Sequence, residues 1–155
     1  MARHFTLKRS RVLVFAFTAL IGLAACDQPA TVARSATPVP GAQAVGIFRE
    51  ICGTAMRDVT AAQSKLQRPF RAVASEPDGA IDYQHADFDL VFRLSETGGT
   101  TQCSMSVVTV RSQQSPEGAA ASLSFLRDRL SGMTPTFRAF QQQNSNRIVA
   151  VIQSN

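Results

Sequence analysis

The stretch that decides the fold is Asp87-Phe88-Asp89-Leu90-Val91-Phe92-Arg93-Leu94, read on through Ser95-Glu96-Thr97-Gly98-Gly99-Thr100. Phe88, Leu90, Phe92 and Leu94 alternate with Asp87, Asp89, Val91 and Arg93. A period of two with polar residues on the second face describes a strand in a sheet that is packed on one side and wet on the other. The alternation predicts one strand over about Ile81–Leu94. Gly98-Gly99 supplies a hairpin turn, because a two-residue hairpin loop needs positive φ at its centre. The partner strand is then Thr101–Arg111, with Cys103, Met105 and Val107 on a shared face.

Working outward, Phe48, Cys52, Ala55, Met56, Val59 and Ala62 recur at helical spacing and predict a first helix over about Val45–Leu66, with Cys52 facing the core. Residues 67–80 hold Pro69, Pro77 and Gly79 and read as a connection, with a short strand at Phe70–Ala74. A second helix starts more sharply. Ser115 fits the N-cap, Pro116 the first helical position, and Glu117 the positive end of the helix dipole. Ala119, Leu123, Leu126, Leu130 and Met133 form its stripe, and Gly132 is placed to end it. Two strands follow, Thr134–Gln141 and Arg147–Gln153, around Asn144-Ser145-Asn146. The unbroken apolar run Ile148–Ile152 belongs inside the sheet. The predicted order is α-β-β-α-β-β. It implies an α+β two-layer sandwich, a four-stranded antiparallel sheet with two helices on one face.

The chain has 155 residues, enough for one ordinary domain, and no run of 18 apolar residues. Its formal charge of +5 is concentrated at the start, in Arg3, Lys8, Arg9 and Arg11. Beyond residue 25, twelve basic residues face eleven acidic ones, so there is no electrostatic footprint for nucleic acid.

That basic start precedes the 14-residue apolar run Val12–Ala25. A positive flank and a run of this length make a signal-peptide core, too short for a spanning helix. Leu23-Ala24-Ala25-Cys26 resembles the lipobox of bacterial lipoproteins. The resemblance implies cleavage before Cys26, a diacylated Cys26 thiol and anchoring to a membrane by lipid. Thiol chemistry suits the role, since each buried methylene adds roughly 0.8 kcal/mol and two chains hold where one does not. An ordinary secreted protein cut after Ala25, with Cys26 a structural thiol, is the competing reading. Asp27 resembles the inner-membrane retention signal of enterobacterial lipoproteins, and inner against outer membrane stays open. The expected division is a signal peptide over 1–25, lipidated Cys26 with a Pro/Ala/Thr-rich tether over 26–43, and one domain over 44–155.

Lipidation uses one of three cysteines. Cys52 and Cys103 then form an even pair in an oxidising compartment, which predicts a disulfide between them. Free or reactive thiols are the alternative, without the close C-x-x-C spacing of redox and zinc sites.

The mature chain holds one histidine, His85. On a continuous strand Tyr83, His85, Asp87 and Asp89 project to one side, about 6.8 Å between alternate residues. Imidazole and carboxylates are suitable ligands or acid/base groups, so this polar cluster is the candidate metal or hydrolytic site. A solvated strand face is the plainer reading. No G-x-S-x-G elbow accompanies the histidine, and Gly98-Gly99 lacks the lysine and helix of a phosphate-binding loop. Arg127-Asp128-Arg129 reads as a solvated helix face, and no motif calls for a cofactor. Phe48-Arg49-Glu50-Ile51-Cys52, Tyr83–Phe92 and Cys103-Ser104-Met105 resemble small secreted bacterial proteins of unassigned function. That resemblance implies a cysteine-bridged α/β domain and no activity. The expected function is a lipid-anchored, non-enzymatic binding or accessory domain of the cell envelope with a protein partner. The alternatives are an envelope hydrolase or metal-dependent enzyme using His85 with Asp87 or Asp89, and an inhibitor of a cell-wall lytic enzyme.

Overall fold

Gly98 and Gly99 both take positive φ, 59° and 79°, and close the two-residue turn of a hairpin between β3 (Leu90–Thr97) and β4 (Thr100–Val107). This is a computed structural model, and it describes residues 36–75, 79–133 and 136–154. The hairpin register pairs Leu90 with Val107, Phe92 with Met105 and Leu94 with Cys103. All six are buried, as the alternation predicts.

The strand expected over Ile81–Leu94 is two strands. β2 (Ile81–His85) and β3 are antiparallel, joined by the turn Ala86–Asp89, with Tyr83 opposite Phe92. Residues 86–89 contain neither Gly nor Pro, yet the apolar positions change phase across them, from Ile81 and Tyr83 to Phe88, Leu90 and Phe92. The turn is instead held from outside. Thr37 N–H donates to the Asp87 carbonyl (2.9 Å), and Asp89 N–H donates to the Thr37 carbonyl (2.8 Å).

With β1 (Phe70–Ser75) at one end, and β5 (Arg138–Gln141) and β6 (Ile148–Gln153) at the other, the sheet has six antiparallel strands in the order β1-β2-β3-β4-β6-β5. This corrects the expected four. The apolar run Ile148–Ile152 does lie inside, between β4 and β5. Ile148, Ala150 and Ile152 are fully buried, while Val149 and Val151 turn to the other face.

The first expected helix is also two. α1 (Gly41–Ala55) ends at Met56, and α2 (Val59–Lys65) starts afresh on Asp58, whose carboxylate accepts from the Ala61 N–H at 2.9 Å. The end of the strand predicted to Arg111 is a third short helix, α3 (Val110–Gln114). Thr109 caps it, and Thr109 and Ser112 exchange side-chain to backbone bonds as a capping box. α4 (Pro116–Leu130) begins as predicted, with Ser115 Oγ accepting from Gly118 N–H at 3.0 Å. It stops at Ser131 rather than on Gly132. Gly118 is required for a second reason: a Cβ there would lie 2.1 Å from the Arg111 carbonyl oxygen, so only glycine lets α4 follow α3 so closely.

α1 and α4 pack on one face of the sheet. Phe48, Ile51 and Cys52 from α1 join Leu126 and Leu130 from α4, over Leu90, Phe92, Met105, Ile148 and Ile152. Cys52 and Cys103 form a disulfide across the two layers, with Cα atoms 5.4 Å apart and a separation of 51 positions in sequence. Closing a loop of that length stabilises the fold by about 4 kcal/mol on the chain-entropy model.

The tether expected over 26–43 ends sooner. Val39 is fully buried and bridges to Thr109, Thr37 bridges to Phe88, and α1 begins at Gly41. Residues 36–43 therefore belong to the folded unit, as a strap across the ends of β2, β3 and β4. The signal segment 1–25, Cys26, Asp27 and the tether up to residue 35 lie outside the described residues. Among the described residues no helix is long and apolar enough to cross a membrane.

Candidate functional site

Because the chain reverses at Ala86–Asp89, the four residues expected on one wet strand face are dispersed. Tyr83 and His85 turn into the protein, each 8% exposed, on the same face as Phe92. Burial raises the Tyr83 phenol above its usual range. Asp87 is exposed in the turn, and Asp89 pairs with Arg147. Among the described residues, no three His, Cys, Asp or Glu side chains lie where they would hold a metal ion together.

His85 has a different task. Its Nδ1 accepts from the backbone N–H groups of Asp87 (3.1 Å) and Phe88 (3.2 Å). The ring is clamped by Phe70 and Phe88, both with centroids at 4.8 Å. An acceptor Nδ1 carries no proton, so the ring is the neutral Nε2–H tautomer. Burial lowers the His85 pKa below the usual imidazole range, and the nearby Asp87 carboxylate opposes that only in part. The imidazole therefore works as the acceptor that shapes a turn built without glycine. Its Nδ1 lone pair is engaged and is not available to a metal ion or a substrate proton.

Among the described residues, the sheet face away from α1 and α4 carries no helix. Register places two rows across it. One runs Arg71, Gln84, Val91, Ser106, Val149, Phe140, from β1 to β5. The other runs Asp82, Arg93, Ser104, Val151, Arg138. Arg93 and Asp82 form a forked ion pair, Nε to Oδ1 at 2.7 Å and a second N–H to Oδ2 at 3.3 Å. Arg147 ties Asp89 to the margin and reaches Ser106 Oγ at 3.4 Å. Arg71 and Arg138 pair with no carboxylate among the described residues.

At the β5 end this face carries an apolar patch. Phe140 is 48% exposed, beside Val149 and Val151 and next to Arg138. Concavities flank it on both sides, one of about 300 Å³ with Gln102, Thr136 and Gln153, and one of about 520 Å³ with Arg127, Ser131 and Phe137. Arg127 reaches from α4 and donates two N–H groups to the outward Ala139 carbonyl, at 3.0 and 2.6 Å. That blunts the edge of β5 against strand addition while leaving Phe140 presented. The sequence held one signal for this patch, the alternation Arg138-Ala139-Phe140, which puts an arginine and an aromatic on the same side of a strand. No protein-family model, curated protein or solved structure matches the chain.

Proposed function

We propose that the protein is a lipid-anchored binding domain of a bacterial cell envelope, held through Cys26 and docking a partner protein on the open sheet face around Phe140. One observation carries the reading: an exposed phenylalanine, backed by Val149 and Val151, sits beside an arginine without a carboxylate partner among the described residues. Aromatic and arginine side chains are the types that dominate binding energy at protein interfaces. Arg138 and Arg71, at opposite flanks of the face, call for a partner whose apolar contact is rimmed by carboxylates. The lipobox resemblance at Leu23–Cys26 is the basis for the anchor.

Affinity capture of the full chain from detergent-solubilised membranes tests this, run beside Phe140→Ala and Arg138→Glu. The expected result is an envelope protein enriched by the parent chain and depleted with both variants. Equal recovery with all three chains would reject the face. Mass spectrometry of the parent protein tests the anchor, by diacylation at Cys26. The hydrolase reading draws on His85, and a general base there needs the Nδ1 that now accepts two backbone N–H groups, or an Nε2 that surrenders its proton.

A further inference from the structure

We propose that the cavity between the first turn of α1 and the α3–α4 junction binds a small carboxylate with an apolar body, such as a short-chain or aromatic acid. The cavity holds about 220 Å³ and is lined by Gly41, Ala42, Thr109, Arg111, Ser122 and Phe125. A cavity of roughly 150 Å³ is enough to admit benzene, so the space suits an acid of that size.

Its inner wall is polar and buried, with Thr109 1% and Ser122 5% exposed. Their hydroxyl oxygens lie 2.8 Å apart, and Thr109 Oγ1 also accepts the Ser112 N–H at 3.0 Å. Two hydroxyls bring two hydrogens. One lies between the oxygens, and the other is left to an acceptor that enters the cavity these residues line. An incoming oxyanion can accept that hydrogen.

Arg111 lines the cavity from its exposed side and pairs with no carboxylate among the described residues. One carboxylate oxygen can meet its guanidinium while the second takes the free hydroxyl hydrogen. The start of α1 adds to the positive potential. Pro40 has no N–H, no side chain caps the helix, and its first internal bond is Ala44 N–H to the Pro40 carbonyl. The opposite wall is apolar. The Phe125 ring comes within 3.4 Å of where a Gly41 Cβ would stand, so glycine keeps the ring against α1.

Planarity and a single guanidinium favour a carboxylate over a phosphate, which has three oxygens to satisfy and no use for the phenyl wall. The site is separate from the open sheet face, and its outcome is independent of the docking proposal.

The test is isothermal titration calorimetry of the full chain in detergent with benzoate, its neutral isostere benzamide, and inorganic phosphate. Saturable benzoate binding is expected, at least about tenfold tighter than benzamide because only the anion makes charge-assisted hydrogen bonds. Arg111→Gln, at an exposed position, is expected to weaken benzoate about tenfold at an unchanged melting temperature. Ser122→Ala, with its own melting temperature measured, is expected to weaken it about threefold or more. No saturable heat from benzoate, equal binding of benzamide, tighter binding of phosphate, or an unaffected Arg111→Gln chain would each overturn the proposal.

Discussion

The two faces of the sheet use the same strands in opposite ways. On the helix side, Leu90, Phe92, Leu94, Cys103, Met105, Ile148 and Ile152 are 2% exposed or less and meet α1 and α4. On the other side the residues between them, Val91, Arg93, Ser104, Ser106, Val149 and Val151, meet no helix among the described residues, and Phe140 stands half out of the surface. Stability therefore resides on one face, and the capacity to dock on the other. Substitutions should separate the two cleanly.

The largest effect belongs to the covered face. Cys52→Ser with Cys103→Ser removes the disulfide between the layers and should cost about 4 kcal/mol in urea denaturation. A loss under about 1 kcal/mol would mean that the helix layer needs no such link. Next comes His85→Ala, which deprives two backbone N–H groups of their acceptor and leaves a gap between Phe70 and Phe88. A loss of about 2–4 kcal/mol is expected by the same measurement. A solvated strand residue would give under about 0.5 kcal/mol.

The same imidazole sets a pH dependence. Its folded pKa lies below the unfolded value of about 6.5, so the unfolded chain binds the proton more readily. The stabilisation is present in full above the unfolded pKa. It declines as pH falls from there through the lower folded pKa. Melting temperature should fall from pH 7 towards pH 5, and His85→Gln should flatten that part of the curve. An unchanged slope in the variant would assign the dependence to other groups.

The smallest effect on stability is expected at the open face. Phe140→Ser and Arg138→Glu should each shift unfolding by less than about 0.5 kcal/mol while abolishing partner capture. A loss of several kcal/mol at Phe140 would make the residue part of the packing and remove it from the docking account.

What the sequence made legible divides along a related line. Features fixed by residues close in the chain could be read: Gly98-Gly99 closing a hairpin, Ser115-Pro116 opening α4, the inward series Leu90, Phe92, Leu94, and the interior run Ile148–Ile152. Features held by distant groups could not. The turn at Ala86–Asp89 has no Gly or Pro and is fastened by Thr37, some fifty residues earlier, so a broken strand was read as continuous. The polar cluster Tyr83, His85, Asp87, Asp89 followed from that error. Val39 sits among prolines and small residues, and only its pairing with the β4–α3 junction makes it core. Three local signals were there to be used: the switch of apolar positions from Ile81 and Tyr83 to Phe88 and Leu90, Asp58 restarting a helix, and the capping box of Thr109 and Ser112 inside a supposed strand. Phe140 was legible as a strand residue. Its exposure depends on no described element covering that face, which a linear pattern does not encode.

Site-specific photo-crosslinking in cells tests the central claim most directly. A benzoylphenylalanine replaces Phe140 in the full-length chain, and in a control it replaces Asp128, exposed on α4 in the helix layer. The account predicts a discrete protein adduct from position 140 and none from position 128. Adducts from 128 alone, the same adducts from both, or none from 140 would contradict it.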